Sequence, residues 1–258
     1  MVKLSPHGLA VAGLVMAFLT IVAGAAVTSS PELGSFRQLH TVSAVLSGLI
    51  AIVLGVRLWS SHRRLAGLLI GFVLLLALPV EDLAWFRILH ACLAQGLFCL
   101  AWVGATVSSA KWAQGPSIVE DRGTPSLRTL SGMGVTITAL QVLLGAGFRH
   151  GTWSVVPHVV GAIVTTVVLL VLATFAITQF PKHRPLLSAS WHVIAMVAIQ
   201  IGLGVIAFVG RLNHQQGAVA SDGLIASTVA HVSFGALTLG STVALALQVG
   251  YHVRPVAS

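Results

Sequence analysis

Charge is what this sequence has least of. Only 8% of its 258 residues are Asp, Glu, Lys or Arg, and six of these are acids. A soluble domain carries about 25% charged residues, so the chain has roughly a third of the usual share. It cannot cover the surface of a water-soluble globule of this size. The scarcity excludes a soluble enzyme, a disordered chain and a nucleic-acid-binding domain. The acids Glu32, Glu81, Asp82, Glu120, Asp121 and Asp222 all fall in loops or at the edges of apolar runs. A carboxylate relay in mid-span, as a proton-coupled transporter uses, is therefore absent. Cysteine is nearly missing as well. Cys92 and Cys99 share one apolar run; on a helix their spacing is about two turns, roughly 10 Å of rise, which is too far for a disulfide. Both lie deeper in that run than His90, which suits no closely spaced zinc set. Four methionines and two cysteines also leave little for a thiolate or thioether copper site.

What is abundant is apolar sequence: 56% of residues, with a mean hydropathy of +0.96. A membrane span needs about 20 largely apolar residues. Eight runs qualify, at roughly 8–28, 36–58, 65–81, 85–108, 127–148, 154–179, 187–209 and 223–250. The third is the shortest. All should be helices, because a backbone facing lipid must satisfy its own hydrogen bonds. The first run is long enough to span and no small-residue cleavage site ends it, so it reads as a retained helix rather than a signal peptide.

The net charge of +8 would point to nucleic acid in a soluble protein. Here it sets topology. With the N-terminus inside, the inner side carries Lys3, Arg57, Arg63, Arg64, Lys111, Arg122, Arg128, Lys182, Arg184 and Arg254, and the outer side only Arg37, Arg87, Arg149 and Arg211. That asymmetry supports an even span count with both termini cytoplasmic. The longest polar stretch, from Ser108 to Arg128, divides the spans four and four. The expected fold is an all-α membrane protein of eight transmembrane helices, arranged as two pseudo-repeated four-helix bundles: residues 1–108, a cytosolic linker over 109–126, and residues 127–258.

Histidine is the informative residue. Of the eleven, His7, His62, His183, His192 and His252 sit at span ends on the inner side and read as interfacial polar groups. His150 and His214 fall in outer loops. The remaining four are His40 in span two, His90 in span four, His158 in span six and His231 in span eight. All are on even-numbered spans, in the outer part of each. One such histidine would be read as a hydrogen bond to a neighbouring helix. Four at matching depth on alternate helices point to ligation, since an ionisable group inside a membrane helix marks function by default.

A short repeat supports this. Phe36-Arg37-Gln38-Leu39-His40 and Phe86-Arg87-Ile88-Leu89-His90 share the pattern F-R-x-L-H. Residues three apart share a helical face, so each arginine lies about one turn outward of its histidine. An imidazole that binds iron, with a guanidinium above it that pairs with a carboxylate, suits a haem and its propionates. The second half echoes the plan more loosely: Arg149 precedes His158, and Arg211 precedes His231. Gln141-Val142-Leu143-Leu144-Gly145 resembles Gln200-Ile201-Gly202-Leu203-Gly204, and small residues follow both histidines, at Gly161-Ala162 and Gly235-Ala236. Small residues let helices, or a flat macrocycle, approach closely.

On these residues the chain resembles the haem A synthase family of cytochrome oxidase assembly proteins. The architecture is similar over nearly the whole chain. Local strings are similar too: His90-Ala91-Cys92-Leu93-Ala94-Gln95-Gly96-Leu97-Phe98-Cys99, the stretch from Gln141 to Arg149-His150, and His231-Val232-Ser233-Phe234-Gly235-Ala236. The resemblance implies conversion of haem O to haem A by oxidation of a ring methyl to a formyl group, with haem b as cofactor in the C-terminal half. It assigns His158 and His231 as axial ligands of that haem b, with Arg149 and Arg211 nearby. It places His40 and His90, with Arg37 and Arg87, around the substrate haem. It also implies a bacterial cell-membrane setting, with membrane lipid and haem O synthase or oxidase assembly proteins as partners. The chain departs from the family where members carry Glu-x-x-His-Arg in span two. The same frame here reads Arg37-Gln38-Leu39-His40-Thr41. His158 is followed by Val159 where arginine is usual, and the first and third outer loops are short. Glu32 is the one acid near the first site and the weak candidate for a catalytic carboxylate. The alternative expectation is a non-catalytic b-type cytochrome or haem-binding electron-transfer subunit.

Overall fold

The computed structural model describes residues 5–30, 34–79, 83–213 and 220–256. Among these the chain forms α1 (Pro6–Ser29), α2 (Gly34–Leu58), α3 (Arg63–Leu76), α4 (Ala84–Val107), α5 (Ala110–Ala113), β1 (Val119–Asp121), α6 (Leu127–Arg149), α7 (Val155–Gln179), α8 (Arg184–Leu212), α9 (Asp222–His252) and β2 (Val253–Pro255). The protein is an all-α, multi-pass membrane protein. Seven of its helices (α1, α2, α4 and α6 to α9) are long and apolar enough to cross a bilayer. Exposed aliphatic side chains along them, such as Val56, Ile163, Val167 and Val205, form the surface that lipid solvates.

The expected span at 65–81 is the exception. It is realised as α3, 14 residues long. Its length of about 21 Å is well under the hydrocarbon thickness of roughly 30 Å. The apolar run continues through Leu78, but Pro79 follows. Proline disfavours helical backbone at the residue before it, and the helix ends three residues earlier.

The chain divides into two compact units. One comprises residues 1–78, 93–108 and 198–237; the other comprises 79–92, 109–197 and 238–258. The first has a core of Ala10, Ala51, Leu54, Leu58, Ala66, Leu69, Leu97 and Ala105, from α1, α2, α3 and α4. The second has a core of Leu127, Leu169, Leu172, Ala176, Leu186, Val193, Leu245 and Val249, from α6, α7, α8 and α9. The first core gathers where α1 begins and α2 ends, the second where α6 begins and α7 ends. Close packing there uses small residues. A side chain on Gly55 would meet the Ala66 carbonyl at 3.2 Å, and one on Gly134 would meet Leu172 at 3.0 Å. Membrane helices gain stability from such approach, because lipid supplies no hydrophobic drive to bring them together.

The polar linker is ordered. β1 pairs in parallel with β2, Val119 opposite Val253 and Asp121 opposite Pro255. Trp112 stacks on Tyr251 with ring centroids 3.7 Å apart. Ser117 is held between two histidines: its hydroxyl lies 2.7 Å from His183 Nε2, and its N–H donates to His252 Nδ1 at 3.1 Å. Asp121 is buried, and its carboxylate accepts from the Gly123 and Leu127 N–H groups, which ties the linker to the first turn of α6.

Candidate functional site

The four candidate histidines all lie near the start of their helices. His40 is on α2, His90 on α4, His158 on α7 and His231 on α9. Three of them occupy the same kind of seat, made by the preceding helix. A side chain built on Gly24 of α1 would lie 3.0 Å from His40 Cε1 and 3.1 Å from its Nδ1. On Gly145 of α6 it would lie 2.9 and 3.2 Å from the same atoms of His158, and on Gly204 of α8 3.0 and 3.4 Å from those of His231. Each imidazole therefore rests edge-on over bare backbone, with Nε2 the ring nitrogen farther from the glycine. Alanine at any of the three positions would push into the ring.

Four residues before each glycine, one turn along the same face, stands the group that orients the ring. The Thr20 carbonyl accepts from His40 Nδ1 at 3.1 Å. A carbonyl cannot donate, so Nδ1 carries the proton and Nε2 the lone pair. Gln141 Nε2 lies 2.9 Å from His158 Nδ1 and also donates to the His158 carbonyl at 2.8 Å. Gln200 Nε2 lies 3.5 Å from His231 Nε2, at the limit of hydrogen bonding.

In two seats the fit is reciprocal. A side chain on Gly161 of α7 would meet Gln141 Oε1 at 2.3 Å, and one on Gly235 of α9 would meet Gln200 Nε2 at 3.3 Å. The small residues after His158 and His231 thus receive a glutamine amide from the neighbouring helix. That assigns Gly161 and Gly235 a use that spacing alone could not. Gln141 Oε1 and Gln200 Oε1 are buried without a hydrogen-bond partner. A buried polar atom in that state calls for an explanation.

His90 has no such seat among the described residues. The helix before it, α3, stops at Leu76. Its surroundings are cationic instead. Arg87 and His90 at the start of α4 approach Arg149 and His150 at the end of α6. The His150 pKa is lowered by burial first, and then by the charges of Arg149, Arg87 and His90. Trp85 and Trp153 meet edge to face beside them, with centroids 5.6 Å apart. Trp153 also lies over Gly147, where a side chain would come within 1.9 Å of the indole. Sequence spacing does not bring Trp85 together with His150 and Trp153. Arg87 and Arg149 are brought together; Arg37 stands exposed on the first turn of α2, and Arg211 exposed near the end of α8. Glu32 lies outside the described residues, as do Lys3, Glu81, Asp82 and His214.

The donor set can be tested against possible metals. Among the described residues no three His, Cys, Asp or Glu side chains converge to hold an ion. A metal held by protein alone wants three or four such ligands. A haem iron takes one or two axial imidazoles, its remaining ligands coming from the macrocycle. His40, His158 and His231, each oriented through a second group, are donors of the kind that such an iron would take. A ligating histidine characteristically gives its other ring N–H to a carbonyl or similar acceptor, as His40 gives Nδ1–H to Thr20. No protein-family model matches the chain, and no curated protein matches it.

Proposed function

We propose that this chain is a haem-binding membrane protein in which His40, His90, His158 and His231 supply axial imidazoles through Nε2. The observation that carries the reading is the repeated seat. Three histidines on α2, α7 and α9 each lie over a glycine of the preceding helix, with an orienting group four residues before it. Ordinary packing also sets glycines beneath side chains; what favours ligation is the repetition of glycine and orienting group in three helix pairs. Arg37 and Arg87 precede His40 and His90 by about one helical turn, Arg149 and Arg211 stand at the ends of the helices before His158 and His231, and all four would offer charge-assisted partners to propionates. The lipid-facing surface supports a cell-membrane setting; the basic residues fall on alternate loops, with cytoplasmic termini, on the reading that the short α3 also carries the chain across a locally thinned bilayer.

Within that reading, the activity is the haem A synthase reaction: oxidation of a haem O methyl to the formyl of haem A, with haem b as the resident cofactor. Haem supplies the redox chemistry. The chain supplies imidazoles of fixed orientation, cations for the propionates, and apolar helix faces that exclude water. The oxidation takes its oxygen atom from water and releases four protons and four electrons (–CH₃ + H₂O → –CHO + 4H⁺ + 4e⁻), so it needs an electron acceptor outside this chain. The second reading is a non-catalytic b-type cytochrome, and one observation favours it. Arg37 stands where the resembled family carries glutamate, and the described acids, Glu120, Asp121 and Asp222, include none on α2 or α4.

The experiment is spectroscopic. Purified protein should show a low-spin haem spectrum, and His158→Ala and His231→Ala should each abolish a low-spin component. Full retention of the spectrum in all four histidine-to-alanine variants would overturn the assignment.

A further inference from the structure

One buried atom is left unexplained by the histidine beside it: Gln141 Oε1, without a hydrogen-bond partner and on an amide that reaches the candidate ligand His158. We infer that Gln141 is a positioning residue that sets the proton arrangement of His158, donating to the ring in the form seen here and accepting through Oε1 when the ring ligates. The inference rests on the reading that this histidine binds haem.

The argument is one of hydrogen-bond capacity. In the present form the Gln141 amide nitrogen faces His158 Nδ1. An amide N–H₂ only donates, so Nδ1 carries the lone pair and Nε2 the proton. That tautomer cannot bind a metal through Nε2. Ligation moves the proton to Nδ1, and Nδ1–H then needs an acceptor. Among the described residues the group in place is Gln141, whose amide presents oxygen in place of nitrogen after a half-turn. The turn gives the orphaned Oε1 its partner and gives up the amide's bond to the His158 carbonyl. The His40 seat shows the end state without a turn, because the Thr20 carbonyl already accepts from Nδ1. At His231 the amide nitrogen faces Nε2 at 3.5 Å, so by the same rule Nε2 already holds the lone pair, and Gln200 is assigned no such turn. Gly161 makes the motion at His158 feasible, because it leaves the Gln141 amide against backbone that a side chain would fill.

The test uses the full chain purified in detergent. Gln141→Met keeps the length of the side chain and removes both hydrogen-bonding roles. Gln141→Glu keeps an acceptor. Loss of an outer-shell partner typically lowers metal affinity about 10–100-fold, so the methionine variant should release haem faster by that order. The glutamate variant should recover affinity and show a lower reduction potential than wild type, because a carboxylate acceptor makes the imidazole more electron-rich. A glutamate variant no better than the methionine variant would overturn the inference. Wild-type protein that takes up no haem would defeat the haem reading instead. The positioning role is then read from the ¹⁵N shifts of labelled histidines in the haem-free protein. Gln141→Met should change the tautomer signature of His158 and leave His231 as it was. Shifts that do not move would refute it.

Discussion

Replacing Gly145 by alanine separates a functional seat from ordinary helix packing. The added methyl would lie 2.9 Å from His158 Cε1. Carbon atoms in favourable contact sit about 3.5–4.0 Å apart, so the ring must retreat by roughly 0.6 Å or more. The Gln141 contact to Nδ1 at 2.9 Å opposes that retreat. Overpacking of this kind costs about 1–3 kcal/mol, while exchanging glycine for alanine within a helix returns about 1 kcal/mol. The net loss of stability is therefore about 0–2 kcal/mol. A functional constellation tolerates displacement of only about 0.5 Å, so haem retention should fall about tenfold even where stability barely changes. Each affected helix carries its own control. Gly132 on α6 and Gly202 on α8 meet nothing within 4 Å, so alanine there should stabilise by about 1 kcal/mol and leave haem untouched. Thermal unfolding in detergent reads the first quantity and the Soret-to-protein ratio the second. If Gly145→Ala and Gly204→Ala match Gly132→Ala and Gly202→Ala in both, the seats have no role in ligand geometry.

Further outcomes follow from the same contacts. Arg37→Lys and Arg87→Lys should weaken haem binding, because a bidentate carboxylate partner does not accept lysine; a lost charge-assisted bond costs about 1.5–3 kcal/mol. Unchanged haem content in both variants would show that these arginines only reach for lipid headgroups. Asp121→Ala removes two acceptor bonds to backbone N–H groups from a buried carboxylate. It should cost about 2–3 kcal/mol and expose the linker to protease; a linker that stays resistant would refute the role given to Asp121. Cysteine placed at Gly115 should be labelled from the cytoplasmic side and cysteine at Gln216 from the opposite side, and labelling of Gln216 only from the cytoplasm would reverse the topology.

The spans were legible because bilayer thickness leaves few solutions for an apolar run of 20 residues. The boundaries of α6 and α7 (Leu127–Arg149 and Val155–Gln179) fall within one residue of the expected ends. Span three misled because hydropathy does not register Pro79, which cuts the helix to Arg63–Leu76. The site was legible in part. The likeness between Gln141-to-Gly145 and Gln200-to-Gly204 is visible in the letters, but its meaning required seeing which ring lies on which glycine. The third copy, at Thr20 and Gly24, is hidden because its acceptor is a backbone carbonyl, which every residue has. The pairing of β1 with β2 escaped for a related reason: three-residue strands such as Val119–Asp121 have no periodicity to read, and the partner, Val253–Pro255, comes from the far end of the chain.

The most direct test of the haem reading is extraction of the pigment from protein purified from its own membrane, followed by chromatography against haem B, haem O and haem A. The account predicts haem at one or two equivalents per chain, lost stepwise as His40, His90, His158 and His231 are replaced. Haem O or haem A among the products supports the synthase reaction, whereas haem B alone at two per chain supports the cytochrome. Protein that is folded, carries no haem and takes none up when it is supplied would contradict the central claim.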